Sequence, residues 1–225
     1  RGQTELLDQA LREALMERRV LAGVSLESAP RRLRALGDAI FEKLYSKVVP
    51  FPFDGFTTKG GASQAMRDCA DFTRSLFLTD FSFDTTQAMG VQKRNRAQTV
   101  LRDAWSVFSP DGSVSFRRAT SSVKSLMEEW NRALLSDDGL SAAAALERAC
   151  DAPYGANIAS AGLLLSVFFR AHANVKDIQP MNDGEAVEID ALATLFPDRV
   201  ALDPADFRGV RFVRAVSGDD SPWTD

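Results

Sequence analysis

Hydrophobic positions recur at helical spacing through most of the first two-thirds of the chain. Leu7, Leu11, Ala14 and Leu15 define one face of a helix over Thr4 to Arg19, with Asp8, Arg12, Glu13 and Glu17 on its other faces. A second stripe, Leu33, Leu36, Ile40 and Leu44, widened by Phe41 and Tyr45, predicts a helix from Pro30 to Lys47, and Pro30 suits a first turn. Ala62 to Leu78 directs Met66, Ala70, Phe72 and Leu76 or Phe77 inward. Ser121 to Leu135 does the same with Val123, Leu126, Met127, Trp130 and Leu134. A turn-rich link is expected over Asp80 to Thr86, and another helix over Val100 to Phe108, stopped by Ser109-Pro110-Asp111-Gly112.

Between the second and third helices runs Val48-Val49-Pro50-Phe51-Pro52-Phe53-Asp54-Gly55-Phe56. Its two prolines force extended backbone. Its three phenylalanines need apolar cover, so the stretch is expected to strap across the helices.

The pattern changes after Asp137-Asp138-Gly139. Ser141 to Cys150 reads as a short Ala-rich helix, broken by Ala152-Pro153-Tyr154-Gly155, and Asn157 is placed to cap an apolar helix reaching Ala171. A turn over Gln179 to Asp183, a strand over Ala186 to Ile189 and a brief helix from Asp190 to Phe196 should follow. Val200 to Leu202 and Val210 to Val216 read as further strands. Helix, turn, buried helix and hairpin is a winged-helix-like order. The expected fold is therefore mainly α, a helical domain over 1–139 joined to a winged-helix-like module with a short β-hairpin over 140–216. A polar tail fills 217–225. Arg1 at the start and the tail Ser217 to Asp225 lead us to expect a piece of a longer polypeptide.

Composition narrows the function classes. The 225 residues are 45% hydrophobic and 26% charged, in the globular range. A formal charge of -4 weighs against a dominant attraction to nucleic acid or an anionic membrane. The longest apolar run, Ala159 to Phe169, is shorter than the roughly 20 residues that span a bilayer. Cys69 and Cys150 stand far apart, and no secretion signal opens the chain, so reduced thiols and a cytoplasmic location are expected.

No phosphate-loop or dinucleotide fingerprint is present, and Lys59-Gly60-Gly61 before a helix reads best as a turn. The single histidine, His172, lacks the companions of a metal site and is expected to interact with its own helix terminus. Asp68, Asp71, Asp80, Asp84, Glu128 and Glu129 read as solvated surface. We therefore expect no catalytic residue, cofactor or metal. The suggestive local feature is basic: Lys93, Arg94, Arg96 and Arg102, followed by Arg117 and Arg118. These residues suit phosphate contacts or an acidic protein surface equally. The apolar helix after Asn157 carries only Arg170 as a basic residue before Ala171, so it should be buried rather than laid in a DNA groove.

Leu146 to Phe207, about a quarter of the chain, resembles a segment of the large P-loop ATPases of bacterial phage-defence systems, including the BREX-type ATPases. The likeness rests on Ala152-Pro153-Tyr154-Gly155, on Leu163, Leu164 and Leu165, on Asn182-Asp183-Gly184, and on the strand through Val187 and Ile189. Leu44-Tyr45 with Pro50-Phe51-Pro52-Phe53 adds to it. That family commonly has Pro-Pro-Tyr-Gly at the turn, so Ala152 departs from its pattern. The resemblance implies a non-catalytic region downstream of an ATPase core, contacting a protein partner or the remainder of a larger polypeptide, with DNA as a second contact. Pro153, Tyr154 and Gly155 would fix the structural turn, and Lys93, Arg94, Arg96, Arg117 and Arg118 would make contacts. The competing expectation is a stand-alone winged-helix DNA-binding regulator.

Overall fold

A computed structural model of the chain describes residues 33–53, 63–189, 191–192 and 202–215. The Thr4 to Arg19 helix, Lys59-Gly60-Gly61, Phe56 and the polar tail of the sequence reading lie outside them. The described residues are mainly helical, with seven α-helices and a small antiparallel sheet of four strands towards the C-terminus. The helices are α1 Leu33–Leu44, α2 Gln64–Leu78, α3 Phe83–Gln87, α4 Val91–Ala97, α5 Ser121–Leu134, α6 Ala142–Cys150 and α7 Ile158–Ala173. The strands are β1 Leu140–Ser141, β2 Ile178–Asn182, β3 Glu185–Ala186 and β4 Val210–Arg214, in the order β1-β4-β2-β3.

Helix α7 is the axis of the fold. The Asn157 side chain accepts the Ser160 amide at 2.9 Å and so satisfies one of the free N–H groups of its first turn. Every residue from Ala159 to Arg170 is buried, as a helix apolar on all sides requires. Helix α2 packs along it through Phe77, whose ring lies 5.0 Å from that of Phe169. The sheet closes over the same place, with Phe212 of β4 at 5.4 Å from Phe169. Each such aromatic removed from water stabilises the fold by about 1.5–3 kcal/mol. One apolar cluster therefore runs across residue 140, joining Phe72, Leu76 and Phe77 to Leu163, Phe169 and Phe212.

Arg170 is buried with them. Its guanidinium donates to the Leu76 carbonyl at 2.8 Å and the Phe77 carbonyl at 3.1 Å. It thereby satisfies the C-terminal end of α2, where carbonyls have no helical partner. Trp105 anchors the proline strap in the same manner, its indole N–H donating to the Pro50 carbonyl at 2.6 Å. Val49 is buried, and the half-buried rings of Phe51 and Phe53 meet edge to face.

Several local expectations need correction. The helix placed over Val100 to Phe108 instead begins at Val91 and continues through a π-helical stretch, Gln98–Ala104. It stops where Ser106 takes a left-handed backbone angle and the Ser109-Pro110-Asp111-Gly112 turn folds Phe108 against Val114. The link over Asp80 to Thr86 contains α3, nucleated by reciprocal capping between Ser82 and Thr85. Gln179 to Asp183 is mostly strand β2, because the reversal falls at Asp183 and Gly184, both left-handed. Only Ala186 of the Ala186 to Ile189 strand joins the ladder, in β3. Of Val200 to Leu202 only Leu202 is described, and it is buried and pairs with no strand among the described residues; of Asp190 to Phe196 only Ala191 and Leu192 are described.

Candidate functional site

The basic residues singled out by sequence do not form one free patch. Helix α4 turns Lys93 and Arg96 towards α2, where Lys93 lies 2.6 Å from Asp71 and Arg96 pairs with the buried Asp68. The Lys93 ammonium also sits 5.8 Å above the Phe72 ring. Arg94 reaches the Gln87 carbonyl, at 3.5 Å. Asp68 is thus a buried ion-pair member, which corrects its reading as solvated surface. Its burial requires a partner, because an isolated buried carboxylate is strongly disfavoured. Arg117 and Arg118 are exposed, and among the described residues neither has an ion pair or a side-chain hydrogen bond.

The Ala152-Pro153-Tyr154-Gly155 turn is a junction. Its Ala152–Pro153 peptide is cis, and Tyr154 is buried. The Tyr154 hydroxyl donates to Glu129 of α5 at 3.0 Å and lies 3.3 Å from Ser125. Arg148 of α6 grips the same carboxylate with two N–H groups, at 2.6 and 3.3 Å, and donates to the Ala152 carbonyl at 2.6 Å. The chain after α1 docks on the turn, with the Lys47 and Val49 amides donating to the Pro153 and Tyr154 carbonyls at 3.0 and 3.1 Å. Gly155 is left-handed at φ +59°, and a Cβ there would stand 2.6 Å from the Tyr45 ring. Arg148 holds the Glu129 carboxyl below its usual range, and Glu129 in turn holds the Arg148 guanidinium up. Burial pushes the Tyr154 phenol up. Sequence reasoning found the turn, read Glu129 as solvated surface where it is a bonded member of this network, and missed Arg148 and Ser125. Nothing in their spacing marks them, since the three side chains meet the Tyr154 turn only once α5 and α6 have packed against it.

The other end of α7 is different. His172 is buried, and its Nδ1 lies 2.9 Å from Asp177 Oδ1, so its partner is a side chain beyond the helix and not the helix's own carbonyls. Its Nε2 is buried and has no hydrogen-bond partner among the described residues. The ring packs on Phe168 at 4.5 Å and Phe116 at 5.7 Å. A cleft of about 470 Å³ opens beside it, between α5, the 109–117 loop and the end of α7.

Burial pushes the Cys69 thiol up to about 12, and the half-buried Cys150 is raised for the same reason, so neither is poised as a nucleophile. Among the described residues no group of His, Cys, Asp and Glu side chains is arranged to hold a metal ion. Among them, too, no helix is long and apolar enough to cross a membrane. Comparison with known families, with characterised proteins and with solved structures returned no match.

Proposed function

We propose that this chain is a non-catalytic accessory region of a larger ATPase of the bacterial anti-phage defence kind, acting through protein contacts. The observation that carries this reading is the burial of α7. A winged-helix DNA reader presents the corresponding helix to the major groove, whereas here it forms the core. The pairing of Lys93 and Arg96 with α2 carboxylates argues in the same direction. Phe41, 50% exposed, with Leu44 and Val48, offers an apolar protein-contact surface on the segment that docks at the Tyr154 turn. The ATPase assignment rests on the resemblance of Leu146 to Phe207. A DNA contact, as the secondary role, falls to Arg117 and Arg118.

The test is fluorescence anisotropy with duplex DNA across a salt series, on the parent chain and on the K93A/R94A/R96A variant, alongside an ATP turnover assay. Neither DNA binding through those residues nor turnover is expected. Salt-sensitive binding that the triple change abolishes would replace this reading with the DNA-binding regulator. Turnover by the isolated chain would remove the non-catalytic assignment.

A further inference from the structure

The cleft beside His172 is lined by Asp111, Ser115, Arg117, Asn131 and Asp177, among others. We infer that it binds a small carboxylic acid with an apolar body, a role independent of the protein-contact reading above. Its volume, about 470 Å³, lies in the range of small-molecule sites. What selects the ligand is which polar groups are already engaged. The Asp111 carboxylate accepts the Ser113 amide at 3.0 Å and its hydroxyl at 2.8 Å. Asp177 is engaged by His172. By contrast, among the described residues the Arg117 guanidinium has no ion pair and the Asn131 amide no hydrogen bond, while His172 Nε2 is orphaned.

Arg117 is a donor only and Asn131 supplies two more N–H groups, so the complementary ligand group is rich in acceptors. A carboxylate matches the planar fork of a guanidinium with two parallel hydrogen bonds. Asp111 and Asp177 bring two negative charges to the cleft against the single positive charge of Arg117, so a phosphate dianion is opposed more strongly than a singly charged carboxylate. Val114, Phe116 and Val175 supply the apolar wall for the rest of the ligand. Asp177 fixes the ring of His172, and Phe116 of this wall lies 5.7 Å from that ring, so a group bound against the wall changes the surroundings of the imidazole.

The chain contains one histidine, so a long-range ¹H–¹⁵N spectrum shows a single imidazole. Benzoate, titrated into the full chain, is expected to move the His172 nitrogens saturably with a midpoint in the millimolar range. Benzyl alcohol, which lacks the charge, and inorganic phosphate, which lacks the apolar body, are expected to leave them unmoved. Arg117→Gln should raise the benzoate midpoint about tenfold or more, as loss of a charged hydrogen bond does. Arg118→Gln, outside the cleft lining, should leave it unchanged. An unmoved imidazole under benzoate overturns the proposal, as does an equal response to phosphate or benzyl alcohol. An unchanged midpoint in a folded Arg117→Gln protein also overturns it.

Discussion

At the N-terminal end of α7 the Tyr154 hydroxyl, the Arg148 guanidinium and the Glu129 carboxylate all bond to one another or to the backbone of the turn. At its C-terminal end His172 makes one such bond, and its buried second nitrogen has no partner among the described residues, while the residue borders an open cleft. The same helix thus joins a closed polar network to an incomplete one. A closed network fixes the path of the chain, because the buried Tyr154 hydroxyl would otherwise be left away from water without a partner.

The comparison breaks most visibly at Gly155. Gly155→Ala is expected to cost about 3 kcal/mol in urea denaturation, combining the left-handed backbone penalty with displacement of the Tyr45 ring. A loss below about 1 kcal/mol would mean that α1 does not dock tightly on the turn. Tyr154→Phe should cost about 1–2 kcal/mol, and its effect should depend on whether Glu129 is present, as a double-mutant cycle with Glu129→Gln would read. Additive losses would dissolve the network into separate contacts.

Acid offers a finer test. The folded-state carboxyl of Glu129 titrates below its ordinary value of 4.5, so its contribution is full above that pH and fades as pH falls through the lowered folded value. The group is about a third exposed, so on the order of 1 kcal/mol is at stake. Arg148→Met should therefore narrow the gap between urea midpoints at pH 7 and pH 3. The smallest effect is expected at the other end, where Arg117→Gln should change stability by less than about 0.5 kcal/mol. A larger loss would make Arg117 a structural residue and bring the two ends of α7 into line.

Sequence periodicity was enough to locate α2, α5, α6 and α7, because each carries an unbroken apolar stripe with a matching cap or stop. It misplaced α4, whose polar Val91–Ala97 stretch has no stripe and is held by ion pairs to α2 instead of by a hydrophobic face. It misread Gln179 to Asp183 because Pro180 looks like a turn residue, although it lies opposite Phe212 inside the ladder. Of the proposed turn, Pro153, Tyr154 and Gly155 were legible from residue type alone. The charges around them were not, since Glu129, Arg148 and Lys47 gather around Tyr154 only after the helices have packed. His172 was visible as the single imidazole, but its pairing to Asp177 depends on how the chain leaves α7 at the left-handed Lys176.

The clasp between Arg170 and the end of α2 spans 94 positions of sequence. During synthesis at about 5–20 residues per second, α2 waits on the order of ten seconds for its partner to be made. Over that interval Phe72, Leu76 and Phe77 have no α7 to cover them. Contacts of such long range also slow folding once the chain is complete, because the intervening loop must close before they form. A ribosome stalled before α7 would therefore hold a sticky intermediate, and the first half expressed alone should need a chaperone more than the whole chain does.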